Sequence, residues 1–251
     1  MIDSFALPVD AAAPGGETNG ALVGDTLLVD PAARTPELDD AVAAADVEHL
    51  ALTHTHPDHV AGVAHYAATT DATVWCRYGR EDRFEDSTGV EPDETFREGD
   101  RVGPATVLET PGHAPDHVAF RVDGEIVSGD LVFRDTSTYV GSRDGDMRAY
   151  LASLRHLRAA EPGTLYPGHG PRIENPMERI AELLAHRRYR ERQVETAVHG
   201  GARTASEVVD AAYDRNLGDA RPLAVEAVRA HLEKLAVEKR VAWDGDRAEP
   251  R

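Results

Sequence analysis

At 251 residues the chain is long enough for one large layered core, or a core with a small appended module. Hydrophobic residues at 41% and charged residues at 29% give a globular balance, no stretch approaches the roughly 18 apolar residues of a membrane span, and the single Cys76 excludes an intrachain disulfide framework. The formal net charge of −18 ordinarily argues against a nucleic-acid partner. Strand and helix patterns then alternate, with no internal repeat. Residues 21–23 and 26–30 flank Gly24-Asp25 and read as a tight hairpin. A helix is expected over 38–45, a short strand over 47–53, a short helix over 61–68 and a strand over 72–76. Residues 77–100 are charged and rich in turn formers and read as an exposed excursion. Strands resume at 105–110, and 118–122 and 125–128 flank Asp123-Gly124, a strong hairpin signal.

Tyr150, Leu151, Leu154 and Leu157 at helical spacing predict a helix over 147–160. A short strand at 164–166 precedes Pro167-Gly168-His169-Gly170. Pro176 suits the first turn of a helix running to about 198. Beyond Gly200-Gly201 the pattern changes. Thr204-x-x-Glu207 is a capping box opening a helix through 212, and Pro222 opens another with Val225, Val228, Leu232 and Leu235 on one face. Residues 240–243 read as a strand turned back by Asp244-Gly245. Helix, helix, strand pair outlines a winged helix, with a plain helical cap as the simpler alternative. The expected domains are 1–176, a linker helix over 177–199, and a winged-helix-like unit over 200–251.

The run Thr53-His54-Thr55-His56-Pro57-Asp58-His59 directly follows a predicted strand. Histidines two apart in extended backbone project to one side, and Asp58 and His59, after the proline turn, aim at a neighbouring point. Neutral imidazole and carboxylate suit Zn²⁺, Fe or Mn²⁺. His113, Asp130 and His169 each fall where a strand meets a loop, a position that holds a ligand rigidly. The run fills most of two adjacent metal sites and the later three complete the set. His49, His65, His156, His186, His199 and His231 read as ordinary surface or core residues.

His54-x-His56-x-Asp58-His59 with His113, Asp130 and His169 resembles the ligand signature of the metallo-β-lactamase superfamily over about residues 15–175. The resemblance implies an α+β fold, a four-layer αββα sandwich with metals at one edge. It also implies a first metal on His54, His56 and His113, a second on Asp58, His59 and His169, and Asp130 bridging both. Class B1 lactamases carry a cysteine where this chain has Asp130, and flavodiiron proteins a glutamate where it has His56, so both branches are disfavoured. The chain is also short for the insert domain of nucleases that process messenger RNA ends. Pro111-Gly112-His113-Ala114-Pro115-Asp116-His117, Tyr166-Pro167-Gly168-His169-Gly170-Pro171 and the helix His186-Arg187-Arg188-Tyr189-Arg190-Glu191-Arg192-Gln193 most resemble the β-lactamase-like protein 2 and glyoxalase-II-like branch. Ala114 replaces the threonine more usual there.

The expected chemistry follows from the metals. Two cations, zinc being the first choice, sharing a water lower its pKa and supply hydroxide near neutral pH. Asp58 is placed to orient that water and take its proton, and His117 to support the ligands from behind. The expected reaction is hydrolysis of a small thioester, ester or lactone. Cleavage of single-stranded RNA is the runner-up. Arg187, Arg188, Arg190 and Arg192 on one helix, with Arg172 and Arg179 nearby, would meet phosphates, and Tyr189 and Trp243 would stack on bases. Against it, Lys234 and Lys239 are the only lysines among 27 basic residues, so an arginine run is the ordinary solvated helix face in this composition.

Two more readings stay open. One is mononuclear iron persulfide dioxygenation, which shares much of the motif. The other is a DNA- or partner-binding winged helix on a structural metal core, disfavoured because a structural site keeps no open position. No membrane partner is expected, and a homodimer is allowed. Met1-Ile2-Asp3-Ser4 opens no secretory signal, so a cytoplasmic location is the default expectation. The acidic, lysine-poor balance resembles that of proteins from salt-loving archaea, where it keeps the surface hydrated under strong screening.

Overall fold

A computed structural model describes residues 1–213 and 217–251. The first sheet has six strands in chain order: β1 (Ile2–Pro8), β2 (Glu17–Val23), β3 (Leu27–Val29), β4 (His49–Ala51), β5 (Thr73–Arg77) and β6 (Glu94–Phe96). The first three pair antiparallel and the rest parallel. The parallel crossovers carry α1 (Pro36–Ala44), α2 (Val63–Thr69) and α3 (Glu81–Thr88). The second sheet holds β7 (Arg101–Val102), β8 (Ala105–Glu109), β9 (Val118–Val122) and β10 (Glu125–Gly129). Its far edge is β11 (Thr164–Pro167), parallel to β10 and reached through α4 (Met147–Ala159). Both predicted hairpins form. Gly24 and Asp25 sit at φ 57° and 61°, and Asp123 and Gly124 at 47° and 87°, the left-handed pair a two-residue turn needs.

Side-chain alternation sorts the strands' residues into layers. Leu27 and Val29 join Phe96, Val107, Val118, Phe120 and Val127 in a core between the two sheets. Leu28, between them in sequence, faces the other way, into a core with Leu38 of α1, Val63 and Tyr66 of α2 and Phe84 of α3. On the outer face of the second sheet, Ile126 and Leu165 pack with Tyr150, Leu154 and Leu157 of α4. These cores define the four-layer αββα sandwich.

A long helix, α5 (Pro176–His199), leads into α6 (Ala205–Ala212), α7 (Arg221–Val237) and the hairpin of β12 (Val241–Trp243) and β13 (Ala248–Pro250). The predicted capping box opens α6, with Thr204 accepting from the Glu207 amide. These elements share a fourth core of Val208, Val209, Val228, Leu232, Leu235 and Val241. The helix α5 belongs to two cores. Ile180, Leu183 and Leu184 pack on the sandwich, and Val194, Ala197 and Val198 on the C-terminal elements. No helix among the described residues is long and apolar enough to cross a membrane.

The structure differs from the sequence reading at 77–100. That segment is largely exposed, but it is built of regular elements rather than a plain excursion. It contains α3 and edge strand β6, anchored by Phe84 and Phe96, both buried. Each element is short and contributes a single large apolar side chain among charged neighbours, so no periodic face shows in the sequence. The strand β1, which pairs with β2 over its whole length, was also not expected.

Candidate metal centre

The candidate ligands lie in loops following β4, β8, β10 and β11, at one edge of the sandwich. Donor atoms of His54, His56 and His113 lie within 4.8 Å of one another, as do those of Asp58, His59 and His169. Asp130 touches both groups: its carboxylate is 3.5 Å from His113 Nε2, 3.4 Å from His59 Nε2 and 3.4 Å from His169 Nε2. Asp58 Oδ2 is 3.3 Å from His169 Nε2. The predicted ligands are therefore gathered in one place, and all but the half-buried His56 are buried.

Each imidazole is fixed by the nitrogen that faces away from the centre. His113 Nδ1–H donates to the Tyr139 carbonyl at 2.8 Å and His169 Nδ1–H to the Glu17 carbonyl at 2.7 Å. His59 Nδ1–H donates to Asp30 Oδ2 at 3.0 Å. The Thr53 hydroxyl donates to Asp30 at 2.7 Å, so its oxygen is left to accept from His54 Nδ1 at 3.1 Å. His56 is the reverse: its Nε2–H donates to Asp144 at 2.9 Å, and its Nδ1 faces His54 Nε2 at 3.0 Å. With its outer nitrogen committed, each ring turns its other nitrogen toward the centre, the arrangement by which outer hydrogen bonds orient metal ligands.

Sequence reasoning missed most of these outer partners. Asp30, buried at the end of β3, also accepts the Thr53 amide at 2.7 Å. Arg83 of α3 forks onto Asp144 at 2.7–2.8 Å and reaches Asp116 at 3.2 Å. Asp116 in turn accepts from the Thr55 amide and hydroxyl. Asn19 of β2 donates to the carbonyls of Pro167 and Gly170, bracketing His169. His117 was singled out in the sequence, and its place is specific. Its Nδ1–H donates to Thr110 Oγ1 at 2.8 Å, so its Nε2 accepts the Asp130 amide at 3.0 Å.

Two glycines are dictated by close approach. A Cβ on Gly168 would stand 2.4 Å from Asp130 Oδ1. Gly129 has φ 47°, and a Cβ there would meet Thr53 Oγ1 at 2.6 Å. The β10–β11 register also shifts between Val127 and Gly129, just before Asp130, an irregularity of the kind that re-aims a side chain.

The donor set fits divalent cations. Nε2 of His59, His113 and His169 and Oδ1 of Asp130 are buried and make no hydrogen bond among the described residues, a costly state unless something else meets them. Burial holds the His54 and His113 imidazoles below their ordinary range, and so neutral and able to ligate. Burial opposes charge on His169 too, but Asp130 and Asp58 outweigh it and raise that ring to about 9. Burial alone would raise the Asp130 carboxyl, yet His59 and His169 hold it well below the carboxylate range. This local excess of carboxylate draws positive charge inward.

Of the arginines of α5, Arg187 is turned away from solvent and so from any phosphate outside. Arg187 is 6% exposed and donates to the Thr138 carbonyl, its guanidinium 5.2 Å from the Tyr150 ring. The reason is helix register. Ile180, Leu183, Leu184, Arg187, Glu191 and Val194 make one buried stripe, so Arg187 turns into the protein. Arg188 and Arg192 are exposed, and Arg190 lies 4.4 Å over the Tyr213 ring. Arg172 pairs with Glu174 and Arg179 with Glu182, each at 2.9 Å. Tyr189 is exposed, while Trp243 packs against the C-terminal core.

Fold and ligand geometry together define a metallo-hydrolase of the αββα kind. A family model described as the metallo-β-lactamase superfamily matches residues 14–169, and the chain belongs to that superfamily. Among curated proteins it is similar to a β-lactamase-like protein 2 homolog of Drosophila melanogaster, 31% identical over an alignment of 211 residues that covers 77% of this chain and 70% of that one. It is also similar to an atrochrysone carboxyl ACP thioesterase of Aspergillus fumigatus, 28% identical over 256 residues, covering 90% and 78% of the two chains. Among solved structures, a metallo-β-lactamase family protein of Thermus thermophilus shares the fold with TM-score 0.77 and 24% identity, over 100% of this chain and 98% of that one.

Proposed function

We propose that this enzyme hydrolyses a small acyl thioester or related ester or lactone with two divalent cations, zinc in the first instance. His54, His56 and His113 would hold one cation, Asp58, His59 and His169 the other, and Asp130 would lie between them. The observation that carries the reading is Asp130. Its one carboxylate stands 3.4–3.5 Å from rings of both groups, each of which turns an unpaired nitrogen inward. Cations held there supply Lewis acidity, acidifying a water and polarising the substrate carbonyl.

The chain's own residues do the rest. Burial pushes the Asp58 carboxyl up, but His169 and His59 outweigh it and hold the group below its ordinary range, so it is ionised and able to take the proton of the attacking water. His117 holds the Asp130 backbone, and Asp144, braced by Arg83, holds His56. Two observations favour a small acyl substrate over RNA: the similarity to a thioesterase spans 90% of the chain, and Arg187 is spent on a backbone carbonyl.

The test uses zinc-loaded protein in high salt, with acyl thioesters followed by thiol release and end-labelled single-stranded RNA run in parallel. Thiol release is expected, and Asp58→Ala should lose about 10²–10⁴-fold of it while staying folded, with its metal content measured because Asp58 is also a proposed ligand. RNA cleavage by wild type that is lost in Asp58→Ala, without thiol release, would establish the nuclease instead. Oxygen consumption with a persulfide by the iron-loaded protein alone would establish the dioxygenase.

A further inference from the structure

Beside the centre the surface sinks into a cavity of about 200 Å³ whose lining includes Pro14, Phe133, Thr136, His169 and Pro171. Phe133 stands edge-on to the His169 ring, centroids 5.4 Å apart. Its backbone is fixed by Arg179 Nε, which donates to its carbonyl at 2.8 Å. Arg134 and Asp135, the charged side chains that reach this cavity, pair with each other at 3.0 Å. A larger groove of about 500 Å³ continues past Arg134 and Pro171. Its arginines, Arg134, Arg172 and Arg179, are each paired with a carboxylate. The space touching a candidate ligand is therefore walled by proline and an aromatic ring, and among the described residues the adjoining groove offers no unpaired guanidinium for a phosphate.

We propose that this cavity is the acyl subsite, holding the apolar tail of a straight-chain acyl group whose carbonyl carbon lies at the metal centre. The proposal rests on the thioester reading above and names its substrate class. An apolar recess beside a few convergent polar groups is the usual form of a small-molecule site. At roughly 30 Å³ for a group the size of a water or methylene, the volume takes a chain of about six carbons. Phe133 would set its side wall and Thr136 its outer limit.

The test is direct binding. Dissociation constants of the zinc-loaded protein are measured by calorimetry for straight-chain carboxylates from acetate to dodecanoate. The carboxylate is constant, so differences report the tail. Affinity should tighten about three- to fourfold per methylene up to about six carbons and then level off. Phe133→Ala should move the plateau to longer chains. Thr136→Phe, at an exposed position that tolerates a larger side chain, should move it to shorter ones, with zinc content measured in each variant. A flat series in wild type, or a plateau that stays put in Thr136→Phe, overturns the subsite. So does a mononucleotide that displaces hexanoate and binds more than tenfold tighter. Turnover of acetyl and hexanoyl thioesters is scored separately. Equal turnover with a flat binding series sinks the subsite alone, whereas a rising series with no thioester turned over sinks the reaction and leaves a tail-binding site.

Discussion

Asp30 serves two histidines at once. Its carboxylate accepts from the Thr53 amide, from the Thr53 hydroxyl that supports His54, and from His59 Nδ1–H. Asp30→Asn would set an NH₂ group against one of those donors, so the network would have to turn away from the centre. Zinc affinity is expected to fall about 10–100-fold, read by competition with a chromophoric chelator in a variant whose circular dichroism is unchanged. Undiminished affinity would mean that the rings orient themselves without it. The ligands themselves were legible because they are packed into one short run and three strand ends. Asp30 was not, because its partners come 23 and 29 residues later. Asn19 was hidden further still, holding carbonyls 148 and 151 positions away. Such partners are set by which strands become neighbours, and a linear spacing carries no trace of that.

The element level divides in the same way. Tyr150, Leu151, Leu154 and Leu157 show the buried face of α4 in the sequence because four anchors repeat at helical spacing. The eight residues of α3 bury one, Phe84, and a single anchor has no period. Yet α3 positions Arg83, and through it Asp144 and His56. Phe84→Ala should therefore destabilise by about 3–5 kcal/mol. Arg188→Ala, on the exposed side of α5, should change stability by no more than about 0.5 kcal/mol. Urea midpoints at constant slope would measure both. A Phe84 variant as stable as the Arg188 one would return 77–100 to the status of a dispensable excursion. The buried stripe of α5 gives the opposite lesson. Leu183 and Leu184 mark the inward face, and Arg187 falls on it, so the register was readable although the run of arginines drew attention to charge.

At the scale of the whole molecule, α5 and α7 join the sandwich to the C-terminal core. Ala230 packs with the first and Leu232 with the second, and His231 lies buried between them. Burial first, then Arg187, Lys234, His186 and Arg190, push this imidazole down to about 3. The unfolded chain protonates it near 6.5 and the folded chain does not, so the contribution to stability is fully present above pH 6.5 and is lost progressively as pH falls toward 3. By about pH 5 the unfolded state gains about 2 kcal/mol from this one residue, equivalent to a fall in Tm of roughly 4–8 °C for a chain of this size. His231→Leu keeps an apolar side chain in the site and removes the proton, so its Tm should fall less between about pH 7 and pH 5 by about that amount. Scans of both proteins in excess zinc remove the contribution of the metal centre from the difference. Parallel falls in the two proteins would show that the junction opens to admit the proton, and that the C-terminal elements are docked less firmly than their shared helices imply.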